Sequence, residues 1–357
     1  MNADLKLAYP LIAVSCSIWL HQPAFAQPDM KKSQPDQLDF GMTYVGATME
    51  GSFRLYQDGD DASRVHVEVK APDFVKAEVI EKGSNTYGRL GSKVHVEVKV
   101  VIDTSSVGNF KGEILATVAG RELAVPVSAR VLEPKKDATR LLVIGSPLHS
   151  TSTGDGSLFN AWRELVENAE LETSCLLVER EKPLLGKLEL SRFDVVLLGP
   201  GAVFWIKPPE IALLHDYLLQ GGRVVVCANR FFSKTPERAN AITSPYGLEM
   251  ADTEDAGGGA VELAGGQITK HALTNGVERL SFFRASPITT KDPMNAKILV
   301  AAPNFEGQGL VAVARAGKGE VVLLGQSLWW NWISEKRAGK SQNSRLLQNL
   351  LTKKSKH

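Results

Sequence analysis

The sequence predicts two folded units in tandem, an all-β sandwich followed by an α/β three-layer domain with a mostly parallel sheet. Three observations carry this reading. Val65-His66-Val67-Glu68-Val69-Lys70 recurs as Val94-His95-Val96-Glu97-Val98-Lys99, an alternation with the period of a half-buried strand. Phe193-Asp194-Val195-Val196-Leu197-Leu198-Gly199-Pro200-Gly201 and Arg223-Val224-Val225-Val226-Cys227-Ala228-Asn229 are apolar runs with small or polar ends, set a helix's length apart. Between the two patterns, Glu133-Pro134-Lys135-Lys136-Asp137 is a polar break containing proline.

A chain of 357 residues, 43% of them hydrophobic, can bury more than one core. A formal net charge of +1 gives no global pull toward nucleic acid or anionic membrane. Residues 1–26 read as an export signal. Lys6 precedes an apolar run from Leu7 to Leu20, and Ala24-Phe25-Ala26 before Gln27 fits the small-x-small cleavage pattern. That run is short for a bilayer span, and no later segment is longer and as apolar. The mature chain is therefore expected to be exported, periplasmic or extracellular, with no integral membrane segment. Ala13-Val14-Ser15-Cys16 is a poor lipobox because no leucine starts it. Residues 27–37 are expected to be a flexible lead, and residues 353–357 a solvated basic tail. Cys175 and Cys227 remain after cleavage, and both fall in core strands that need not be neighbours. Two separate buried thiols are expected rather than a disulfide.

The sandwich is expected over residues 38–132. Ile114-Leu115-Ala116-Thr117-Val118 and Leu123-Ala124-Val125-Pro126-Val127 flank Gly120-Arg121 as a hairpin, and Gly83-Ser84-Asn85 with Tyr87-Gly88 marks another turn. Short alternating strands with regular turns and no helical period imply antiparallel sheets packed face to face. His66 and His95 share the polar face of their strands, yet no third ligand with fitting spacing accompanies them. Glu68, Glu97, Lys70 and Lys99 on the same face point to a solvated surface. Leu38-Asp39-Phe40-Gly41, Val45-Gly46-Ala47-Thr48 and Gly51-Ser52-Phe53 resemble the opening of the Hydin-type (ASH) immunoglobulin-like domains. Ile102-Asp103-Thr104-Ser105 with Gly108-Asn109-Phe110-Lys111-Gly112-Glu113-Ile114 is similar to that family's penultimate hairpin. The resemblance implies a structural or interaction module without chemistry of its own.

Residues 133–139 read as a linker and 140–352 as the second domain. Arg140-Leu141-Leu142-Val143-Ile144-Gly145 is a buried strand, Asn160 to Ala169 has helical spacing, and Thr173 to Val178 is the next strand. Val195 to Leu198 follows as the third strand. Pro208-Pro209-Glu210 opens a helix with Ile211, Leu214 and Leu218 as its inner stripe, and Gly221-Gly222 ends it. Val224 to Cys227 is the fourth strand, and strands alternating with helices imply right-handed crossovers. Regularity then falls off, with Asp252 to Gly266 read as an exposed loop or hairpin. Ile298 to Ala301, Gly309 to Ala314 and Gly319 to Gly325 are further strands, and Asn343 to Leu351 is a closing helix.

This order is similar to the class I glutamine amidotransferase-like fold, in particular its ThuA-like and related exported branches, and implies a flavodoxin-like layer arrangement. The marks are Phe193-Asp194-Val195-Val196, Gly221 to Val226, His271-Ala272-Leu273-Thr274-Asn275-Gly276-Val277, Gly317 to Ser327 and Asn343 to Leu351. In that family a strand-end cysteine attacks a carboxamide, a His-x-Glu pair activates it, and backbone amides hold the oxyanion. The resemblance puts Cys227 at the nucleophile's place and Gly199-Pro200-Gly201 at the oxyanion turn. The glycine that should follow the nucleophile is missing from Cys227-Ala228-Asn229-Arg230, and no His-x-Glu stands near the C-terminus. Gln326-Ser327-Leu328-Trp329-Trp330-Asn331 occupies that region instead, and His271 falls in a segment that resembles a structural turn. Cys227 is thus a weak catalytic candidate, and no catalytic residue is assigned with it.

Open parallel sheets bind ligands past the carboxyl ends of their strands. The residues expected there are Ser146 and His149, Gly199, Gly201 and Trp205, Asn229 and Arg230, and Gln326, Ser327, Trp329 and Asn331, with His271 as a further candidate. Phe204, Trp205, Trp329, Trp330 and Trp332 make this edge aromatic, suited to stacking on sugars or to capping the sheet. Gly154-Asp155-Gly156-Ser157 lacks the Lys-Ser/Thr of a nucleotide loop, so no cofactor and no metal are expected. His215 beside Asp216 reads as a surface residue. The expectation is an exported binding or scaffolding protein whose partner is an envelope protein or a carbohydrate. A cell-envelope hydrolase or amidase using Cys227, and a carbohydrate-binding protein using Trp205, Trp329 and Trp330, are the alternatives.

Overall fold

The described residues of 38–132 form the strands β1 (Leu38–Tyr44), β2 (Met49–Asp58), β3 (Val67–Lys70), β4 (Val75–Thr86), β5 (Ser92–Ile102), β6 (Gly108–Val118) and β7 (Arg121–Leu132). The computed structural model describes residues 33 and 35–353, apart from 60, 87–91, 119, 148–156, 180–181, 187, 200, 231–234, 255–259, 327–329 and 334–339. The export signal, His149, Pro200, the Gly154–Gly156 turn, Ser327 and Trp329 therefore lie outside the described residues. β1-β7-β6-β3 form one sheet, and β2-β5-β4 lie in another. Their inner faces share one core, with Phe53, Val96 and Val98 on one side and Leu38, Ile114 and Val125 on the other.

The two histidine-bearing repeats do not pair. β3 runs beside β6, whereas β5 lies between β2 and β4, so His66, just ahead of β3, and His95, within β5, stand at different sheets. The polar face of β5 is also not solvated, because His95, Glu97 and Lys99 are 5%, 1% and 8% exposed. Alternation separates the two faces of a strand but does not report what covers each of them.

The second half holds β8 (Arg140–Ile144), α1 (Ser157–Asn168), β9 (Glu172–Leu176), β10 (Val195–Leu198), α2 (Ala202–Trp205), α3 (Pro208–Leu219) and β11 (Arg223–Cys227). It continues with α4 (Thr235–Thr243), β12 (Leu248–Met250), β13 (Ala260–Ala264), β14 (Arg279–Phe283), β15 (Ile288–Thr290) and β16 (Ala296–Ala301). The last elements are β17 (Gly309–Ala316), β18 (Gly319–Leu324) and α5 (Asn343–Leu351). The strands β9-β8-β10-β11-β18 are parallel neighbours in that order. Apolar residues of α1 and α5 pack on one face of this stretch and those of α2, α3 and α4 on the other.

The expected mostly parallel, flavodoxin-like layering is overturned by what flanks that stretch. On one side β17 runs antiparallel to β18, because only Gly317 and Lys318 join them and a parallel return needs a long crossover. β16 and β15 pair β17 antiparallel, and β12 pairs β15 likewise. On the other side β9 pairs β2 at Met49 and Cys175, so the sandwich strands β2, β5 and β4 extend the same sheet to twelve strands. Among the described residues strand outweighs helix, 44% against 21%. Within the stretch read as an exposed loop or hairpin, Ala260–Ala264 forms β13, which pairs β14 antiparallel.

Polar contacts lock the junction between the two halves. Cys175 N donates to Thr48 O at 2.7 Å, Thr48 N donates to Ser174 Oγ at 3.1 Å, and Leu177 N donates to Glu50 Oε2 at 2.8 Å. Lys99 Nζ lies between Glu50 at 2.7 Å and Glu179 at 2.8 Å, and Arg163 Nη1 donates to Asp39 Oδ2 at 2.7 Å. Burial pushes the Glu179 carboxyl up, but the ammonium groups of Lys182 and Lys99 outweigh it and hold it below its usual value. A depressed folded value gives stability above the unfolded pKa that is lost as pH falls through the folded one. The urea midpoint is therefore expected to fall between about pH 5 and pH 3, more steeply in the native chain than in Glu179→Gln. Equal slopes would show that this carboxylate adds nothing at the junction.

Candidate functional site

The parallel order brings the strand ends to one edge. Leu198 is level with Ile144 on one side and Val226 on the other, and Cys227 is level with Leu324. Ser146, Gly199, Asn229 and Gln326 therefore follow their strands at a common edge. Gly201, exposed with φ of 78°, leads into α2, and Trp205 at its end is half-buried against Phe204, ring centres 4.8 Å apart. Asn331 lies in a 3-10 turn over Trp330–Ile333.

Among the described residues of this edge, three polar side chains are covered. Ser146, Asn229 and Gln326 are 1%, 1% and 2% exposed. The chain between β14 and β15 lies across the ends of β11 and β18. Asn229 Nδ2 donates to Arg284 O at 2.8 Å, Arg230 N donates to Ser286 Oγ at 2.8 Å, and Phe283 N donates to Gln326 Oε1 at 2.9 Å. Ser286 N donates to Gly325 O at 2.7 Å, and Ser286 Oγ donates to Thr253 O at 2.7 Å. Two ion pairs fasten the cover, Arg230 to Asp252 and Arg284 to Glu254, each at 3.2 Å. Asn229 Oδ1 is buried without a hydrogen-bond partner, and Arg284 holds a left-handed φ of 54°, which a side chain with a Cβ adopts at a cost. Sequence reasoning missed this cover, since no glycine marks the turn at Arg284.

Cys227 is 2% exposed, and burial pushes its thiol up. Its side chain shares a core with Val225, Leu197 and Leu324. Cys175 is equally buried, and β8 and β10 separate the two thiols, so both are free. Beside Ser146 and Cys175, a cavity of about 20 Å³ lies between Met49 of the sandwich and Trp162 of α1, room for about one water. Among the described residues no three His, Cys, Asp or Glu gather as a metal site.

Two histidines are structural. His271 Nδ1 accepts from Leu273 N at 3.2 Å, capping a short turn packed against α5. His215 is half-buried rather than a surface residue, its Nδ1 2.8 Å from Tyr246 Oη.

No family model and no curated protein sequence matches the chain. Solved structures similar to it include a cytoplasmic protein, STM1381, from Salmonella typhimurium LT2, at 13% identity and a TM-score of 0.44, over 60% of this chain and 98% of that one. A ThuA-like protein from Bacteroides uniformis ATCC 8492 is similar at 11% identity and a TM-score of 0.41, over 63% of this chain and 96% of that one. Another ThuA-like protein, from Parabacteroides merdae ATCC 43184, is similar at 17% identity and a TM-score of 0.33, over 58% of this chain and 92% of that one. The structural neighbours of this chain thus include ThuA-like proteins at low identity.

Proposed function

We propose that the chain is an exported, non-catalytic binding or scaffolding protein. In this reading a Hydin-type immunoglobulin-like module is fused to an amidotransferase-like unit that has lost its chemistry. Its partner is another envelope protein or a carbohydrate. The observation that carries the reading is the state of Cys227. A nucleophilic thiol needs a partner that removes its proton or a charge that lowers its pKa. Burial acts on Cys227 in the opposite direction, and the strand-end edge above it is filled by the 284–286 segment.

Iodoacetamide labelling of the folded protein tests this. Cys227 is expected to resist modification until denaturant is added, as is Cys175. Rapid native labelling that disappears in Cys227→Ser would sink the proposal in favour of an amidase or hydrolase.

A further inference from the structure

The outer face of β2, β5 and β4 carries a buried group with no role in the site above. Val94, Val96, Val98 and Val100 of β5 point into the sandwich core, so His95, Glu97 and Lys99 point the other way. Glu97 is saturated, accepting from Ser52 Oγ at 2.8 Å and from Arg54 Nε and Nη2 at 2.9 and 2.7 Å. Lys99 is held between Glu50 and Glu179. His95 differs from both. Neither ring nitrogen has a hydrogen bond, and the nearest carboxylate oxygen, Glu81 Oε1, stands 3.5 Å from Nε2.

The backbone is shaped around this ring. Gly83 on β4 lies directly opposite His95, and a Cβ there would come within 2.6 Å of the ring's Cε1. A β-bulge sets that register. Val79 faces Val98 but Glu81 faces Glu97, so Ile80 is the extra residue that turns Glu81 and Gly83 to the histidine's face. From β2, Tyr56 lies across from His95 and Arg54 across from Glu97. The titratable and charged groups around the ring are therefore Arg54 and Tyr56 on β2, Glu81 on β4, and Glu97 on β5. Burial holds the imidazole below its usual pKa, Arg54 adds to this, and Glu81 and Glu97 oppose it.

We propose that His95 is a proton-operated latch on β4, the strand at the free end of the long sheet. The neutral ring fills the space over Gly83 and seals β4 against β5. The imidazolium carries a charge into that dry contact beside the Arg54 guanidinium, and the pairing around Gly83 opens. An opened pair binds the proton at the ordinary histidine value of about 6.5, so the contact is secure above that pH and loosens as pH falls below it.

Amide hydrogen exchange at pH 7.5 and pH 5, corrected for the intrinsic rates, tests the latch. Residues 75–86 are expected to lose several-fold more protection than the β6–β7 hairpin, because protonation of His95 favours the opened pair. His95→Gln and His95→Phe should abolish that excess loss, whereas His66→Gln, an exposed imidazole at the other sheet, should keep it. An excess loss that persists in both His95 variants, or no excess loss in the native chain, overturns the proposal. If neither variant folds, ring titration by NMR in the native chain decides. A midpoint below about 6.5, with β4 amide shifts following the same curve, supports the latch, and a midpoint at or above that value overturns it.

Discussion

Replacing Arg223 by alanine is expected to lower the unfolding free energy by about 3 kcal/mol, the low end of the range for breaking a buried ion pair. Arg223 opens β11 at the edge opposite the candidate site and is 7% exposed. Its Nε donates to Glu320 Oε1 at 2.7 Å, and its Nη1 donates to Leu350 O at 2.9 Å and Thr352 O at 2.7 Å. Those two carbonyls belong to the end of α5, where no next turn exists to satisfy them. One planar guanidinium thus joins β11, β18 and the C-terminal helix. Lysine has one point of charge in place of the fork, so Arg223→Lys should recover only part of the loss. Urea denaturation measures both variants. A midpoint for Arg223→Ala within error of the native protein would show that the helix end is held by its leucines alone.

Gly325→Ala is expected to cost about 2–3 kcal/mol, the upper range for forcing a group into filled space. A Cβ at Gly325 would lie 2.1 Å from Ser286 O, and a backbone atom cannot rotate aside as a side-chain tip would. Ser286 must then lift from the strand ends. Its bonds to Arg230 N and Thr253 O go with it, and the neighbouring Asn229 to Arg284 contact is strained. A urea midpoint that falls at unchanged slope would report lost stability without a change in the surface exposed on unfolding. A variant as stable as the native chain would mean that the cover over β11 and β18 is loose.

The sequence made the parallel stretch legible because its strands are short apolar runs with small or polar ends. Leu141 to Ile144, Val195 to Leu198 and Val224 to Cys227 are buried on both faces, and Pro208-Pro209 marks the start of α3. The strand-end residues followed from that order, and so Ser146, Gly199, Asn229 and Gln326 share an edge. Pairing across long distances was not legible. Nothing local to Met49 or Cys175 says that β2 lies beside β9, since periodicity assigns a face and not a neighbour. The hairpin of β17 and β18 is legible in Gly317-Lys318, because two residues leave room only for a tight turn, but the further antiparallel pairing of β15, β16 and β12 is not. The fate of β5's outer face was hidden for another reason. His95, Glu97 and Lys99 have the composition of a wet surface, and only the long side chains of neighbouring strands reveal that it is dry.

The Met49 to Cys175 pairing bears on how this chain can be divided. A cut within residues 133–139 would sever no strand, yet it would strip β2 and β9 of their mutual partner and bare Phe40 and Met49 against Trp162. Each fragment would then carry an unsatisfied edge beside greasy surface, a combination that invites self-association. Deletion experiments that treat either piece as an autonomous building block would report on that exposed seam, not on the biology of the piece.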